Sequence, residues 1–215
     1  MPISYDTVTD GGADTATSLT WSHTCSGDQL ILFVGTQGGL GEGEKVTGVT
    51  YNGVSMTKVA SVTEPGDNRV VQLWELIAPA TGAHDVVVTL SSSGEIGAAS
   101  SSYNGVRQIQ QPDNSTTNTQ LNNASITTSL TPVANNCWTI LTPSIRVNPT
   151  AGAGSTKRND QIFDSNGPIT PPASYSMTVG GGDGGTDWGV VMASFAPAEP
   201  GGNPLFMSSG GVSVG

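Results

Sequence analysis

The sequence predicts an all-β protein: a single antiparallel β-sandwich, jelly-roll-like, with extended N- and C-terminal arms. Three observations carry that prediction. Asn52-Gly53 lies between two β-prone runs, and Asn-Gly is the strongest short hairpin signal because a type I′ turn needs positive φ at both central residues. Residues 70–77 alternate, with Val70, Gln72, Trp74 and Leu76 on one face and Val71, Leu73, Glu75 and Ile77 on the other. Both faces are apolar over most of that run, which marks a central strand. Finally, 29 glycines, 13 prolines and only 11% charged residues among 215 suit many short strands joined by tight turns and supply few helix formers.

Taken in order, residues 1–16 are polar and Gly-rich and read as an N-terminal arm. The sandwich domain is expected over 17–196. It opens with SLTWSHT, which places Leu19, Trp21 and His23 on one face, and continues with QLILFVGT, apolar on both faces and therefore central. QGGLGEGE is a Gly-rich loop without the GxxxxGK[ST] pattern of a phosphate cradle. After the 70–77 strand, VVVTL at 86–90 is a further strand. Residues 97–103, GAASSSY, have side chains small enough for close sheet packing or for a contact with another chain. Residues 108–124 read as a polar loop.

The second half keeps the same grammar, with strands expected at 125–130, 137–145, 174–179 and 188–195. Residues 147–172 read as loop, interrupted by one short strand at 161–163. Trp138 and Ile140, and Trp188, Val190 and Met192, are the expected inward residues of the late strands. Tyr-Asn-Gly-Val occurs at 51–54 and again at 103–106. Two hairpin tips in one sheet account for it better than tandem domains, since a solenoid needs at least three copies. Residues 197–215 shift to Pro, Gly and Ser and read as a C-terminal arm. Leu205-Phe206-Met207 gives that arm an apolar anchor, to dock on a neighbouring subunit or to fold back on its own sandwich.

Charge narrows the partners. The net charge of −10 and seven dispersed Lys and Arg residues argue against nucleic acid, whose phosphates need clustered cations, and against anionic membranes. No apolar run approaches the ~20 residues needed to span a bilayer. The N-terminus has neither the basic nor the apolar region of a signal peptide, so synthesis in a cytoplasm is expected. Cys25 and Cys137 form either one candidate disulfide or two thiols kept apart by reducing cytosol.

Catalytic chemistry finds little footing. His23 and His84 are the only histidines, no GxSxG occurs, and His84 in Gly-Ala-His-Asp-Val sits where a turn runs into a strand. His23 and Cys25, two apart on a strand, share a face but lack an orienting third group. Asp10 with Asp14, and Asp183 with Asp187, could offer oxygen ligands to calcium, but neither pair matches an EF-hand loop. No catalytic residue, no metal site and no cofactor are expected.

The strings VTGVTYNGVSMTKV and VQLWELIAPATGAHDVVVTLS resemble a loosely defined group of β-sandwich proteins of tailed-phage structural gene clusters and of bacterial proteins of unknown function. The resemblance spans residues 17–106 and continues through Trp138 and Trp188. It implies a non-enzymatic virion structural protein, an exterior or capsid decoration component, whose partners are other virion subunits and further copies of itself. Ile3, Tyr5, Leu205, Phe206 and Met207 are the expected assembly contacts. The alternative is a carbohydrate-binding or adhesive module that takes surface glycans on an exposed Trp.

Trp74, in a strand apolar on both faces, should be core. Trp74→Ala is expected to cost about 3–5 kcal/mol in urea unfolding; a loss under about 1 kcal/mol would place the residue at the surface.

Overall fold

The structure, a computed structural model, describes residues 1–144, 148–170, 173–181 and 183–199. Fifteen strands and no helix are found among them. The long strands are β1 (Ser4–Cys25), β2 (Ile31–Gly38), β3 (Val46–Tyr51), β5 (Thr57–Thr63), β6 (Val70–Ile77), β7 (Gly82–Asn104), β8 (Asn114–Gln120), β9 (Ser125–Leu130), β10 (Trp138–Pro143), β14 (Tyr175–Gly180) and β15 (Trp188–Phe195). Short ones are β4 (Val54–Ser55), β11 (Thr150–Ala151), β12 (Thr156–Lys157) and β13 (Phe163–Asp164).

These strands form three antiparallel sheets. The first runs β4-β3-β7-β2-β6-β5, with β1 along the other edge of β7; the second runs β12-β13-β10-β15-β8; the third runs β11-β14-β9. The antiparallel, sandwich-like all-β class is as the turn chemistry and strand patterning predicted. The number of layers goes beyond a two-sheet sandwich.

The first sheet folds over on itself. Ala16 of β1 pairs with Gly94 of β7, but Ser18 pairs with Thr89, so the register jumps at that corner. Beyond the corner, β3 lines Val86–Leu90 and β2 lines Ile96–Tyr103, both on the edge of β7 that β1 leaves open. The two leaves enclose a first core, with Trp21, Val34, Tyr51, Trp74, Val88 and Ile96 among its members.

The opposite face of β2 and β6 builds a second core. Ile31, Phe33, Val71 and Leu73 pack there on Trp138, Ile140, Val191 and Phe195 of the second sheet. A third core lies beyond, where Leu141, Trp188, Val190 and Met192 meet Ile126, Met177 and Val179 of the third sheet. Strands β2, β6, β10 and β15 are therefore buried on both faces, which is why their sequences are apolar at odd and even positions alike.

Turn chemistry confirms the hairpin at 51–54. Asn52 and Gly53 have φ of 50° and 74°, and Tyr51 pairs with Val54 across the turn. The second Tyr-Asn-Gly-Val is not a hairpin tip. Asn104 ends β7, Gly105 takes φ 71°, and Val106 bridges to Pro197. The shared feature is instead a fully buried tyrosine at each site.

Two stretches expected outside the sheets belong to them. Residues 4–16, assigned above to an arm at 1–16, pair with Gly94–Asn104 and form the first half of β1. Their Asp, Thr and Gly content hid this. The small side chains of 97–103 let the strand lie close, and a Cβ on Gly11 would stand 2.8 Å from the Trp21 ring. Residues 114–120, within the expected polar loop, form edge strand β8 against β15. Of the C-terminal arm at 197–215, residues 197–199 lie against the domain: the Ala198 amide donates to the Gly105 carbonyl at 2.7 Å.

Gly35 marks a close approach of the first two sheets. A Cβ there would lie 2.5 Å from Thr142 Oγ1 and 3.2 Å from Ile162 Cδ1. Gly35→Ala should cost about 1–3 kcal/mol by overpacking. Combined with Thr142→Ala it should cost less than the two single losses added, whereas strict additivity would mean that the layers do not touch here.

Candidate functional site

Three groups of residues in the fold concentrate polar chemistry or open surface. The first runs through the leaf formed by β1 and β7. Trp21 Nε1 donates to Ser100 Oγ at 2.9 Å, and Ser100 Oγ lies 2.9 Å from His23 Nδ1, with Thr9 Oγ1 at 3.0 Å from the same nitrogen. His23 Nε2 is 3.1 Å from Ser102 Oγ, and Ser102 Oγ donates to Asp6 Oδ2 at 2.7 Å. Because the Ser102 proton is committed to Asp6, hydrogen-bond accounting puts the His23 proton on Nε2 and leaves Nδ1 to accept.

His23 is fully buried, and burial pulls it down to about 4, with Asp6 acting in the opposite sense. Serine, histidine and aspartate thus meet, but in the wrong order for nucleophilic catalysis. In a triad the carboxylate orients the imidazole; here it takes the serine proton, and Ser100 and Ser102 are both sealed from solvent. Cys25 does not become a nucleophile either. Burial pushes its thiol up, the reverse of the activation a catalytic cysteine needs.

The second group joins the first two sheets. Arg158 Nε and Nη2 donate to Asp164 Oδ2 and Oδ1 at 2.7 and 3.0 Å. Tyr103 Oη donates to Oδ2 at 2.9 Å, and the Asn166 amide to Oδ1 at 3.0 Å. The Arg158 guanidinium lies 4.0 Å over the Tyr5 ring, and its partners at Asp164 outweigh desolvation and hold its pKa above the ordinary range. A wholly buried carboxylate with four donors is a structural joint whose acceptor capacity is spent.

The third group is a groove of about 390 Å³ at one end of the molecule, lined by Met1, Pro2, Ile3, Asn136, Trp138, Pro168, Pro197 and Ala198. Both ends of the described chain converge on it. The Met1 amino group donates to the Ala198 carbonyl at 3.1 Å, and a Cβ on Gly105 would come within 2.2 Å of the Pro2 carbonyl oxygen. Elsewhere on the surface, Ile109 and Val133 stand 65% and 73% exposed. Arg107 Nε holds the Ile109 carbonyl, and Asp113 Oδ2 accepts from the Val133 amide. Arg107 and Asp113 face each other at 3.9 Å.

The expected site residues divide accordingly. Ile3 and Tyr5 were assigned to assembly, but their side chains are taken up within the chain. Ile3 is buried in the second core with only its edge on the groove, and Tyr5 packs edge-on to Tyr103. Leu205, Phe206 and Met207 lie outside the described residues. The candidate Cys25–Cys137 disulfide is not formed. Cys25 belongs to the first core, whereas Cys137 heads into β10 of the second sheet with its thiol on the Ala134 carbonyl. Sheets packed face to face stand about 10 Å apart, beyond the ~7 Å Cα limit for a bridge. All four tryptophans are buried, so none serves as an exposed stacking platform.

The weighed calcium carboxylates turn to local backbone: Asp10 Oδ1 accepts from Gly12, Asp14 Oδ1 from Thr15 and Asp183 Oδ1 from Gly185. Among the described residues no group of three or more His, Cys, Asp or Glu could hold a metal ion. Sequence reading missed the groove because it is made by four separate segments, of which only Trp138 carries a strong signal.

Comparison with protein-family models, with characterised proteins and with solved structures finds no match to this chain.

Two buried titratable groups give the fold opposed pH responses. His23 stays neutral when folded, so between about pH 6.5 and 4 the unfolded chain binds the extra proton and stability falls with pH. Glu75, nearly buried on β6, is pushed up to about 7 by burial. Between about pH 4.5 and 7 the folded form keeps a proton the unfolded chain has lost, so stability falls as pH rises. Each contribution is about 3 kcal/mol over its full range. Urea midpoints measured from pH 4 to 8 should lose the acid limb in His23→Gln and the rising-pH loss in Glu75→Gln; unchanged profiles in either variant would remove that group as a cause.

Proposed function

We propose that the chain is a non-enzymatic structural subunit of a bacteriophage virion, an exterior or capsid decoration component, made in the host cytoplasm and held in place by contacts with other virion subunits. The observation that carries this reading is the apolar end groove. Among the described residues it presents connected apolar lining, with Trp138, Ile3 and three prolines. Apolar surface left open in this way is stabilised when a partner covers it, because burial removes it from water.

The likeness of residues 17–106 to β-sandwich proteins of tailed-phage structural gene clusters supports the same assignment. So does the way the buried polar groups are used. Asp164, His23 and their hydroxyl partners bind one another within the fold, as parts of a rigid scaffold do. The glycan-binding alternative drew on exposed tryptophan, and the burial of all four weakens it.

The test is compositional. Particles purified through a density gradient from a producing host should contain the protein at a fixed copy number per major capsid subunit by quantitative mass spectrometry. Antibody against it should label their exterior. Its absence from purified particles, together with binding on a glycan array, would replace this reading with the adhesive one.

A further inference from the structure

We propose that Glu75 is a proton-operated latch: when its carboxyl ionises, the start of β5, residues 57–59, bows away from the second core. Glu75 is 3% exposed. It alternates on β6 with Val71 and Leu73, so it faces the core between the first two sheets. Its cross-strand neighbours are Phe33 on β2 and Thr57 on β5. Among the described residues, its Oε2 has no hydrogen-bond partner.

The elements packed around this carboxyl supply no counter-charge. Strand β6 has no other titratable residue, and neither β2, β10 nor β15, which pack on it, has any. On β5 there is only Lys58. It is in register with Trp74 and turns to the opposite face, over the Trp74 ring and onto Glu44. Arg158, which reaches between the same two sheets, is bound through two nitrogens to Asp164. A neutral carboxyl is tolerated in such a shell, whereas an unpaired carboxylate is strongly disfavoured. Burial accordingly pushes Glu75 up to about 7.

The weak side of the enclosure is β5. Strand β2 is central, but β5 is the edge of its sheet, and Thr57 is exposed. A register shift between Lys58 and Ala60 interrupts the β5–β6 ladder just beyond the Thr57–Glu75 pair. The bulge separates the piece of β5 beside Glu75 from the rest of the strand. On the other side of that piece, Met56 is anchored in the first core. Residues 57–59 therefore form a short bridge between two fixed points. Lifting it hydrates the carboxylate and leaves the layers in place, a local opening rather than unfolding. It also uncovers the backbone edge of β6, so the proton on Glu75 decides whether that edge is capped or open.

The sign follows from linkage. In the open form Glu75 titrates near its ordinary 4.5, in the closed form near 7. Between these values opening releases a proton, so the open fraction grows about tenfold per pH unit and levels off above 7.

Hydrogen–deuterium exchange on the full-length protein at pH 5.5 and 7.5, corrected for the intrinsic rate of amide exchange, tests this. Peptides within 57–63 should open at least about tenfold more readily at pH 7.5, and well before those within 188–195. Glu75→Gln, which keeps the side chain neutral, should abolish the difference between the two pH values. Glu75→Leu carries the same expectation and covers the case in which the Gln variant fails to fold. Equal protection of 57–63 at both pH values, or a difference that persists in the neutral variants, would overturn the proposal. Exchange of 57–63 in step with 188–195 would overturn it as well, since the whole fold would then be opening.

Discussion

The fold depends on one constraint: four strands, β2, β6, β10 and β15, have no solvent face. A strand in an ordinary two-sheet sandwich spends half its side chains on water. Here Leu32 and Val34 enter the first core while Ile31 and Phe33 enter the second, and Val191 and Ala193 face the second while Val190 and Met192 face the third. Each of these strands stitches two cores into one body, so the layers are not independently removable. Phe33, Phe195, Tyr103 and Trp138 form the aromatic centre of the middle core, with Tyr103 at 4.9 Å from Phe195 and 6.1 Å from Trp138.

A stack with so much interior must bring polar groups inside without leaving them unpaired. Tyr103 solves this by reaching through the middle core to Asp164, whose charge Arg158 balances. Removing one member of such a set costs more than the set contributes, since the remainder is stranded in a low dielectric. On the other face of the same strand, Ser100 and Ser102 connect His23 to Asp6. The run Ser100-Ser101-Ser102 looks featureless in sequence, yet two of its hydroxyls fix the register of β7 against β1. A slip by one residue would turn them into the opposite core.

How much of this was legible follows from where the signal lies. The 70–77 and 188–195 strands matched residue for residue, because burial on both faces writes an unbroken apolar run. Asn52-Gly53 announced its turn through backbone sterics. What sequence reading lost were strands whose stability comes from their neighbour. Ser4–Ala16 is held by β7, with two register shifts inside it and a third where it ends. Asn114–Gln120 has no large apolar residue and is held by β15, with Asn118 donating to a carbonyl of β9 and Asn114 to the Thr131 carbonyl just beyond it. The end groove was invisible for a related reason. Its walls are prolines and a chain terminus drawn together by the fold, and no local pattern encodes that convergence.

The edges complete the argument about assembly. A body built from three sheets has several exposed strand edges, each a template for indiscriminate pairing. Strand β1, 22 residues long, has bulges between Tyr5 and Thr7, Asp10 and Gly12, and Ala16 and Ser18, and Asp6, Asp10 and Asp14 add charge along it. On β8, asparagine side chains take the neighbouring carbonyls. On the outer face of the third sheet, Thr127 pairs with Thr178 and Ser129 with Ser176 through their hydroxyls, so that face satisfies itself. Backbone pairing between copies is thus obstructed at these edges, while the end groove keeps an apolar lining. Contacts made through side chains can be specific, whereas pairing through strand edges would not stop.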